Sequence, residues 1–329
     1  MPPPPGQVLA PADVPPIVAS DTATNNRANA SLSIPLQDSH ETCLQQILDD
    51  ATYRGDKAVD SKTVGESFDQ VAGRAFVPRE ATYPAYFSVL AEDRAASEPV
   101  TNNLLTYVKT SASAKWKLAA SSEILGPSDA GVAVPAAATD ATGYVTSLDP
   151  AAGDGLLLAP DKVAARVAAA FTSEAASGKL PAGISAQFGP KNVDDPHSIA
   201  SSFTGLGHVT VQFTASPPPP AAAAGAPSPD CPYPAIRLAD GGALVTFAVF
   251  VHVVVDVQSS SGVTQPSNRS ALGVLLPPGT YSSLTMVFGD MGVAIVAPAG
   301  SSSPIEVIGQ ASEGLTETGV AGHGGVITL

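Results

Sequence analysis

A histidine and an aspartate stand four residues apart in a long hydrophobic segment of the chain. His252 and Asp256 occupy even positions of residues 243–257, whose odd positions are all apolar. Side chains alternate between the two faces of a strand, so the segment predicts one long β-strand with a dry face and a partly polar face. His252 and Asp256 then share the polar face, about 13 Å apart by strand rise, which is too far for a direct bond.

The polar face of this strand either lines a pocket or packs on a helix. In a curved sheet, Thr246, Phe250, His252 and Asp256 could line one pocket, with His252 as a general acid or base. Alternatively, the face packs on a helix, His252 is hydrogen-bonded within the protein, and Asp256 simply emerges at the strand end. We favour the second interpretation.

Aromatic residues give a second candidate binding surface. Tyr83, Tyr86 and Phe87 could form an exposed aromatic patch that contacts a partner. The single tryptophan, Trp116, could stack on a ligand, but on an alternating strand we expect it in the core.

Histidines and acidic residues form no recognisable metal or catalytic motif. The five histidines lack metal-ligand spacing, so we predict no metal site and no cofactor. Phosphate-loop, hydrolase, zinc-protease and calcium-loop motifs are absent from the sequence. We expect the acidic loop at residues 194–197 to be solvated rather than to bind a cation. Glu41, Asp49 and Asp50 are expected on a wet helix face.

The surrounding periodicity predicts an α+β protein of two domains, each with N-terminal helices packed on a curved antiparallel sheet. Residues 11–124 form the first domain, residues 125–160 a linker rich in glycine, proline and alanine, and residues 161–315 the second domain. The remaining segments are a disordered proline-rich start at 1–10, a mobile proline and alanine loop at 217–234 inside the second domain, and a tail at 316–329.

Two local predictions concern single elements. Residues 36–53 carry apolar residues at helical spacing and predict one helical stretch. Asp290, Met291 and Gly292 predict a turn between two short strands.

The charge of the chain disfavours some classes of partner. Lys plus Arg is 16 against 30 Asp plus Glu, a formal net charge of −14. An acidic surface repels phosphate groups, so we predict no nucleic-acid partner, and anionic membrane surfaces are disfavoured. Residues 243–257 are too short for a membrane helix, so we expect no membrane span in the chain as written. Met1 precedes prolines rather than a signal peptide, and an anchor could lie upstream.

The two cysteines carry no motif. Cys43 and Cys231 lack CxxC spacing, so they indicate neither a zinc site nor a redox motif. A disulfide between them is one possibility, and two unpaired thiols is the interpretation that we favour.

Several segments resemble a known family. They are Phe-Val-Pro-Arg-Glu-Ala-Thr-Tyr-Pro-Ala-Tyr-Phe at 76–87, Lys-Trp-Lys-Leu at 115–118, and the connection at 139–146 and 155–160. Over residues 8–315 the chain resembles uncharacterised extracytoplasmic proteins of actinobacteria that carry tandem NTF2-like, or cystatin-like, α+β domains. The resemblance implies an extracytoplasmic location and curved sheets wrapped on helices, each with a pocket-like concave face. It implies no catalytic residues.

Three functional hypotheses follow from these observations. The leading one is a non-enzymatic cell-envelope protein that binds a protein partner or a small ligand through its concave sheet faces. The second is a small-molecule enzyme of the NTF2-like kind that uses His252 and Asp256 in a pocket. The third is a purely structural component of the envelope.

Overall fold

In each half of the chain, the helices come before most of the strands. The computed structural model describes residues 7–58, 67–95, 100–124, 134–151, 153, 155–186, 196–202, 207–215, 233–257, 263–264, 280–310, 314–323 and 327–328. The helices are α1 (Val14–Ser31), α2 (Ile34–Gln37), α3 (Cys43–Ala58), α4 (Val163–Ser177) and α5 (Pro196–Ser202), with 3-10 turns at Pro11–Asp13 and Pro160–Lys162.

Fifteen strands are seen in the described residues. They are β1 (Phe68–Phe76), β2 (Ala85–Ala95), β3 (Thr101–Lys109), β4 (Lys117–Ile124), β5 (Ser147–Leu148), β6 (Ile184–Ala186), β7 (Gly207–Thr214), β8 (Ala235–Arg237), β9 (Ala243–Val257), β10 (Val263–Thr264), β11 (Thr280–Tyr281), β12 (Ser283–Val296), β13 (Ile305–Gln310), β14 (Gly314–His323) and β15 (Ile327–Thr328).

The sheet confirms the α+β class. Its main order is β1-β2-β3-β4-β13-β12-β9-β8-β5, and it is strongly curled into a half-barrel. Neighbours are antiparallel except for β6, which pairs in parallel with β13. Both halves of the chain contribute to it, because β4 pairs with β13 at Ile124 and Gly309. A Cβ on Gly309 would lie 2.8 Å from the Glu123 carbonyl oxygen, so only glycine permits this approach. The division into two domains stays a prediction.

The first helix follows its sequence pattern. Pro15 lies in the first turn of α1, where the missing N–H costs no hydrogen bond. The buried side chains Val14 and Val18 pack α1 against the face of β1 to β4 that carries Phe87 and Leu105.

The predicted helical stretch at residues 36–53 is wrong in its continuity. Helix α2 ends at Gln37 and α3 begins at Cys43. Between them, the Leu118 amide donates to the His40 carbonyl at 2.8 Å and the Thr42 amide donates to the Leu118 carbonyl at 2.9 Å. The connector therefore satisfies its backbone on β4 instead of on a helix.

The long strand β9 forms as predicted. Its odd positions, such as Val249, Val251 and Val253, are buried in one core with Phe171 of α4. The dry face therefore packs on a helix, and the rings of Phe171 and Phe213 meet edge to face at 5.5 Å.

The predicted turn at residues 290–292 is wrong. Strand β12 runs without a break from Ser283, opposite Asp256, to Val296, opposite Ala243. Gly292 has another role, because a Cβ there would lie 2.3 Å from the Phe247 ring. The glycine makes room for an aromatic side chain rather than for a change of direction.

Several predicted segments lie partly outside the described residues. Those residues exclude 1–6 of the proline-rich start and 217–232 of the proline and alanine loop. Within the predicted linker, Tyr144 and Leu156 are buried. The predicted tail contributes most of β14, which pairs with β12. None of the helices described in the structure combines the length and apolar character that a bilayer crossing requires.

Candidate ligand-binding cleft

The first part of the polar face of β9 is buried between the two halves of the chain. The Thr246 hydroxyl lies 3.5 Å from the Thr106 hydroxyl of β3. Phe250 packs in a cluster with Leu44 and Leu48 of α3. Thr246 therefore contacts another strand of the sheet, and Phe250 contributes to packing between sheet and helix.

The second part of this face lies away from that cluster. His252 is half-buried, and its Nε2 lies 3.2 Å from the Thr214 hydroxyl of β7. Burial lowers the pKa of His252 below its usual range. Asp256 is exposed near the end of β9. Neither residue lines the two cavities described below, and their assignment to a binding site stays a prediction.

The three aromatic residues around residue 85 do not form one exposed patch. Tyr83 is 38% exposed, whereas Phe87 is fully buried and stacks on Tyr107 at 4.8 Å between ring centroids. Tyr86 is half-buried on the other face of β2, packed against a cluster that contains Cys43. Strand alternation separates Tyr86 from Phe87.

A buried polar network joins α1 to the sheet. Asp21 of α1 accepts a hydrogen bond from the Tyr107 hydroxyl of β3 at 2.9 Å, and its other oxygen lies 2.8 Å from Nδ1 of His40. The second ring nitrogen of His40 lies 3.2 Å from Oε1 of Gln37. All four side chains are buried, so their polar groups are satisfied by one another rather than by water.

The network continues into α3. The Gln37 amide donates to Asp49 at 3.0 Å, and Gln45 donates to the same Asp49 oxygen at 3.0 Å. Gln45 in turn accepts from the Ser121 backbone amide of β4 at 3.0 Å. The Tyr53 hydroxyl lies 2.9 Å from Gln37 Oε1. These bonds fix the positions of α1, α2 and α3 relative to the sheet.

The prediction of a wet face for Glu41 and Asp50 is wrong. Glu41 is 0% exposed and Asp50 is 7% exposed. Among the described residues neither Glu41 oxygen makes a well-formed hydrogen bond, and the side chains of Asp49 and Gln37 are near enough to interact with it. Burial, followed by the neighbouring Asp49 carboxylate, raises the pKa of Glu41 well above its usual range. Its position follows from the connector, which pairs Glu41 with Leu118 as an isolated bridge.

A cleft of about 320 Å³ opens beside this carboxyl group, between α1, α3 and the strands β1 to β4. We call it the acidic cleft, because its charged lining residues are Glu41, Asp49, Asp56 and Asp93, with no lysine or arginine among the lining residues. Its neutral polar lining includes the side-chain amides of Asn25, Asn29, Gln45, Gln70 and Asn103. The volume is in the range of small-molecule sites.

A second cavity of about 370 Å³ lies on the other side of the network. Its lining includes Asp21, His40, Lys115 and Trp116. The rings of Trp116 and Phe87 meet edge to face at 4.9 Å between centroids, so one part of the tryptophan packs in the core as predicted. The remainder faces the cavity.

The described residues contain no group of three or more His, Cys, Asp or Glu side chains that could hold a metal ion. Asp194 and Asp195 lie outside the described residues. His197 is the second residue of α5 and is exposed.

Cys43 corrects one prediction. It is disulfide-bonded, so the preference for two unpaired thiols is wrong. The chain has one other cysteine, Cys231, which lies outside the described residues. Cys43 also has a positive φ of 62° at the first position of α3.

The match to a protein family spans nearly the whole chain. Residues 5–319 match a family described as Domain of unknown function (DUF8094). This chain belongs to the DUF8094 family. Comparison with curated proteins and with solved structures finds no match. The DUF8094 match includes every residue that lines the acidic cleft.

Sequence reasoning missed the residues of the buried network and of the acidic cleft beside it. Asp21 stands seven residues after Val14 and three after Val18, so it lies on the buried stripe of α1 rather than opposite to it. That spacing was a usable signal. The sequence around Glu41 contains no such signal, because the burial of Glu41 depends on pairing between the connector and β4.

Proposed function

We propose that this protein is a non-enzymatic, extracytoplasmic protein that binds a small ligand in the acidic cleft. The observation that carries the proposal is Glu41, a fully buried carboxyl group that makes no well-formed hydrogen bond among the described residues, at the border of a cleft of about 320 Å³. A buried polar group that is left unsatisfied costs free energy, and such groups are often retained for a function. A ligand in the cleft gives this one a partner.

The cleft has the properties of a pre-formed site. Its walls come from helices and strands, and the network from Tyr107 to Asp49 holds those elements together. Side chains fixed in this way lose little conformational freedom when a ligand binds. The resemblance to NTF2-like proteins points to the same place, because a concave sheet face beneath helices is where that family would have its pocket.

The enzyme hypothesis has weaker support. His252 is engaged by Thr214, and neither His252 nor Asp256 lines one of the two cavities. The envelope-component hypothesis does not account for a cleft with an unpaired buried carboxyl group.

The disulfide at Cys43 supports the extracytoplasmic part of the proposal. Disulfides form and persist in oxidising compartments and are rare in the cytosol. The finer relationship, two NTF2-like units in tandem, is likewise a proposal. It is supported by the order of elements in the first half, where helices α1 to α3 precede the antiparallel strands β1 to β4.

A thermal-shift screen with a blocking variant tests this function. The panel contains amines, neutral polyols, carboxylic acids and uncharged aromatic compounds. Thr52 is exposed and lines the cleft, so Thr52→Trp fills it, whereas Ala23→Trp places the same side chain on the exposed surface of α1. We expect at least one class to raise Tm in the native protein and in Ala23→Trp but not in Thr52→Trp. No shift from any class, or equal shifts in both variants, would contradict the proposal.

A further inference from the structure

We propose that the ligand of the acidic cleft is a small organic cation with one or more primary or secondary ammonium groups. This inference rests on the proposed function and adds the chemical class of the ligand.

The charge of the lining carries the first step. Four carboxyl groups border the cleft, from the connector, from α3 and from β2, and no lysine or arginine side chain lines it. Elsewhere acidic side chains have cationic partners, as with Asp140 and Arg79 or Glu92 and Arg94. A cleft with this sign of charge attracts cations and repels anions. Phosphates, sulfates and carboxylic acids are therefore unsuitable ligands.

Glu41 carries the second step independently of the acidic cluster. Its side chain is fully buried, and neither oxygen makes a well-formed hydrogen bond within the described residues, where Asp49 and Gln37 are its polar neighbours. The unmet requirement is for a donor, preferably a charged one, because a buried carboxylate is stabilised by a nearby cation. An ammonium group supplies both the charge and the N–H donors.

The distribution of oxygen atoms favours an organic cation over a metal ion. Calcium and magnesium need about six oxygen ligands at about 2.0–2.6 Å from one point. The described residues have no cluster that could hold a metal ion. The cleft lining instead combines carboxyl groups from the connector, α3 and β2 with side-chain amide and hydroxyl groups. An extended molecule with separated N–H donors matches this arrangement.

The apolar parts of the cleft fit the carbon skeleton of such a molecule. Leu32, Phe68 and Leu118 are among the lining residues, together with the ring of Tyr53. A short methylene chain can pack on these side chains while its ammonium ends reach the carboxyl groups. A fully polar ion would leave this surface uncovered.

Titration calorimetry at pH 7.5 with three probes of similar length tests the inference. The probes are 1,4-diaminobutane, 1,4-butanediol and succinate, which are cationic, neutral and anionic. The variants are Glu41→Gln and Asp56→Asn, with Glu92→Gln as the control. Glu92 neighbours Asp93 on β2, but its exposed side chain pairs with Arg94. Circular dichroism and Tm of each ligand-free variant establish whether it is folded. If Glu41→Gln does not fold, Asp56→Asn provides the test instead.

We expect the diamine to bind the native protein, whereas the diol and succinate should show no binding. Glu41→Gln should weaken diamine binding about tenfold or more, because an ammonium group ionises this buried carboxyl group on binding and an amide cannot carry that charge. Asp56→Asn should weaken it about threefold, because it removes an acidic group from the cleft. Glu92→Gln should leave the affinity within about twofold, since that carboxylate is exposed and outside the cleft.

Three results would overturn the ligand class while leaving the proposed function in place. The first is binding of the diol or succinate, but not the diamine, in a manner that Thr52→Trp abolishes. The second is binding of magnesium or calcium in the cleft that displaces the diamine. The third is an unchanged diamine affinity in both Glu41→Gln and Asp56→Asn. Failure of the whole screen described above would instead contradict the proposed function.

Discussion

The Tyr107 hydroxyl of β3 donates a 2.9 Å hydrogen bond to the Asp21 carboxylate of α1, and both side chains are buried. The same carboxylate contacts His40 at 2.8 Å, so one acidic group connects the first helix, the sheet and the connector. Burial, followed by the charge of Asp21, raises the pKa of Tyr107 well above its usual range, which keeps the hydroxyl protonated as the donor. The acidic cleft lies beside this arrangement and depends on it for its shape.

Tyr107→Phe should destabilise the protein by about 1–3 kcal/mol, because it leaves a buried oxygen of Asp21 without its donor. The measurement is the free energy of unfolding in urea. Tyr144→Phe is a matched control, since the Tyr144 hydroxyl is buried and lacks a hydrogen-bond partner among the described residues. That variant should be neutral or slightly more stable. Equal losses in the two variants would show that the Tyr107 hydrogen bond contributes nothing specific.

Asp50 should make stability depend on pH. Burial, followed by the charge of Asp38, raises the pKa of Asp50 to about 6. Below about pH 4 the group is protonated in both folded and unfolded states, and above pH 6 the folded state carries an unfavourable charge. This contribution therefore lowers stability as pH rises from 4 to 7, by about 2–3 kcal/mol.

Asp50→Asn removes that dependence. Relative to the native protein, the variant should gain stability between pH 4 and pH 7.5, as measured by urea unfolding at both values. The exposed Asp256→Asn should show no such gain. If Asp50→Asn and the native protein have equal free energies of unfolding at both pH values, the buried charge of Asp50 has no energetic effect.

The disulfide at Cys43 should stabilise the folded protein by about 2–5 kcal/mol, because a cross-link restricts the unfolded chain. Cys43→Ser and Cys231→Ser should lower the free energy of unfolding equally, and the double variant should lose no more than either single variant. Dithiothreitol should destabilise the native protein but not the cysteine variants. Additive losses in the double variant would indicate that the two cysteines act separately.

Gly292→Ala should destabilise the sheet by about 1–3 kcal/mol, since its Cβ would lie 2.3 Å from the buried Phe247 ring. Gly289→Ala on the same strand is the comparison. Its Cβ would lie 2.9 Å from terminal methyl groups of Leu44 and Leu48, which can shift at lower cost. Unfolding in urea should show a smaller loss for Gly289→Ala, and the reverse order would contradict this packing.

Periodic elements were predictable from the sequence, as β9 shows. It carries a repeating apolar pattern that one packed neighbour satisfies, so local residue order contains the needed information. The turn predicted at residues 290–292 was wrong because a glycine can be required either by a turn or by close packing of a neighbouring side chain. The approach of Phe247 to Gly292 cannot be read from the sequence of β12 alone.

The cleft was less predictable because it depends on contacts between distant residues. Glu41 and Leu118 are adjacent only after the connector has paired with β4. Before that pairing is known, an acidic residue in a helical pattern is expected to face water. Thr246 and Phe250 show the reverse case, since residues on the partly polar face of a strand can be buried in the core when a second layer covers that face.

The most direct measurement of the central claim is the location of ligand binding by backbone NMR. On titration with 1,4-diaminobutane, we predict chemical-shift changes concentrated on the connector at Glu41, on α3 from Gln45 to Asp56, and on β4 around Ser121, which border the acidic cleft. Changes concentrated instead around His252 and Asp256, or spread evenly over exposed carboxylates, would contradict the account.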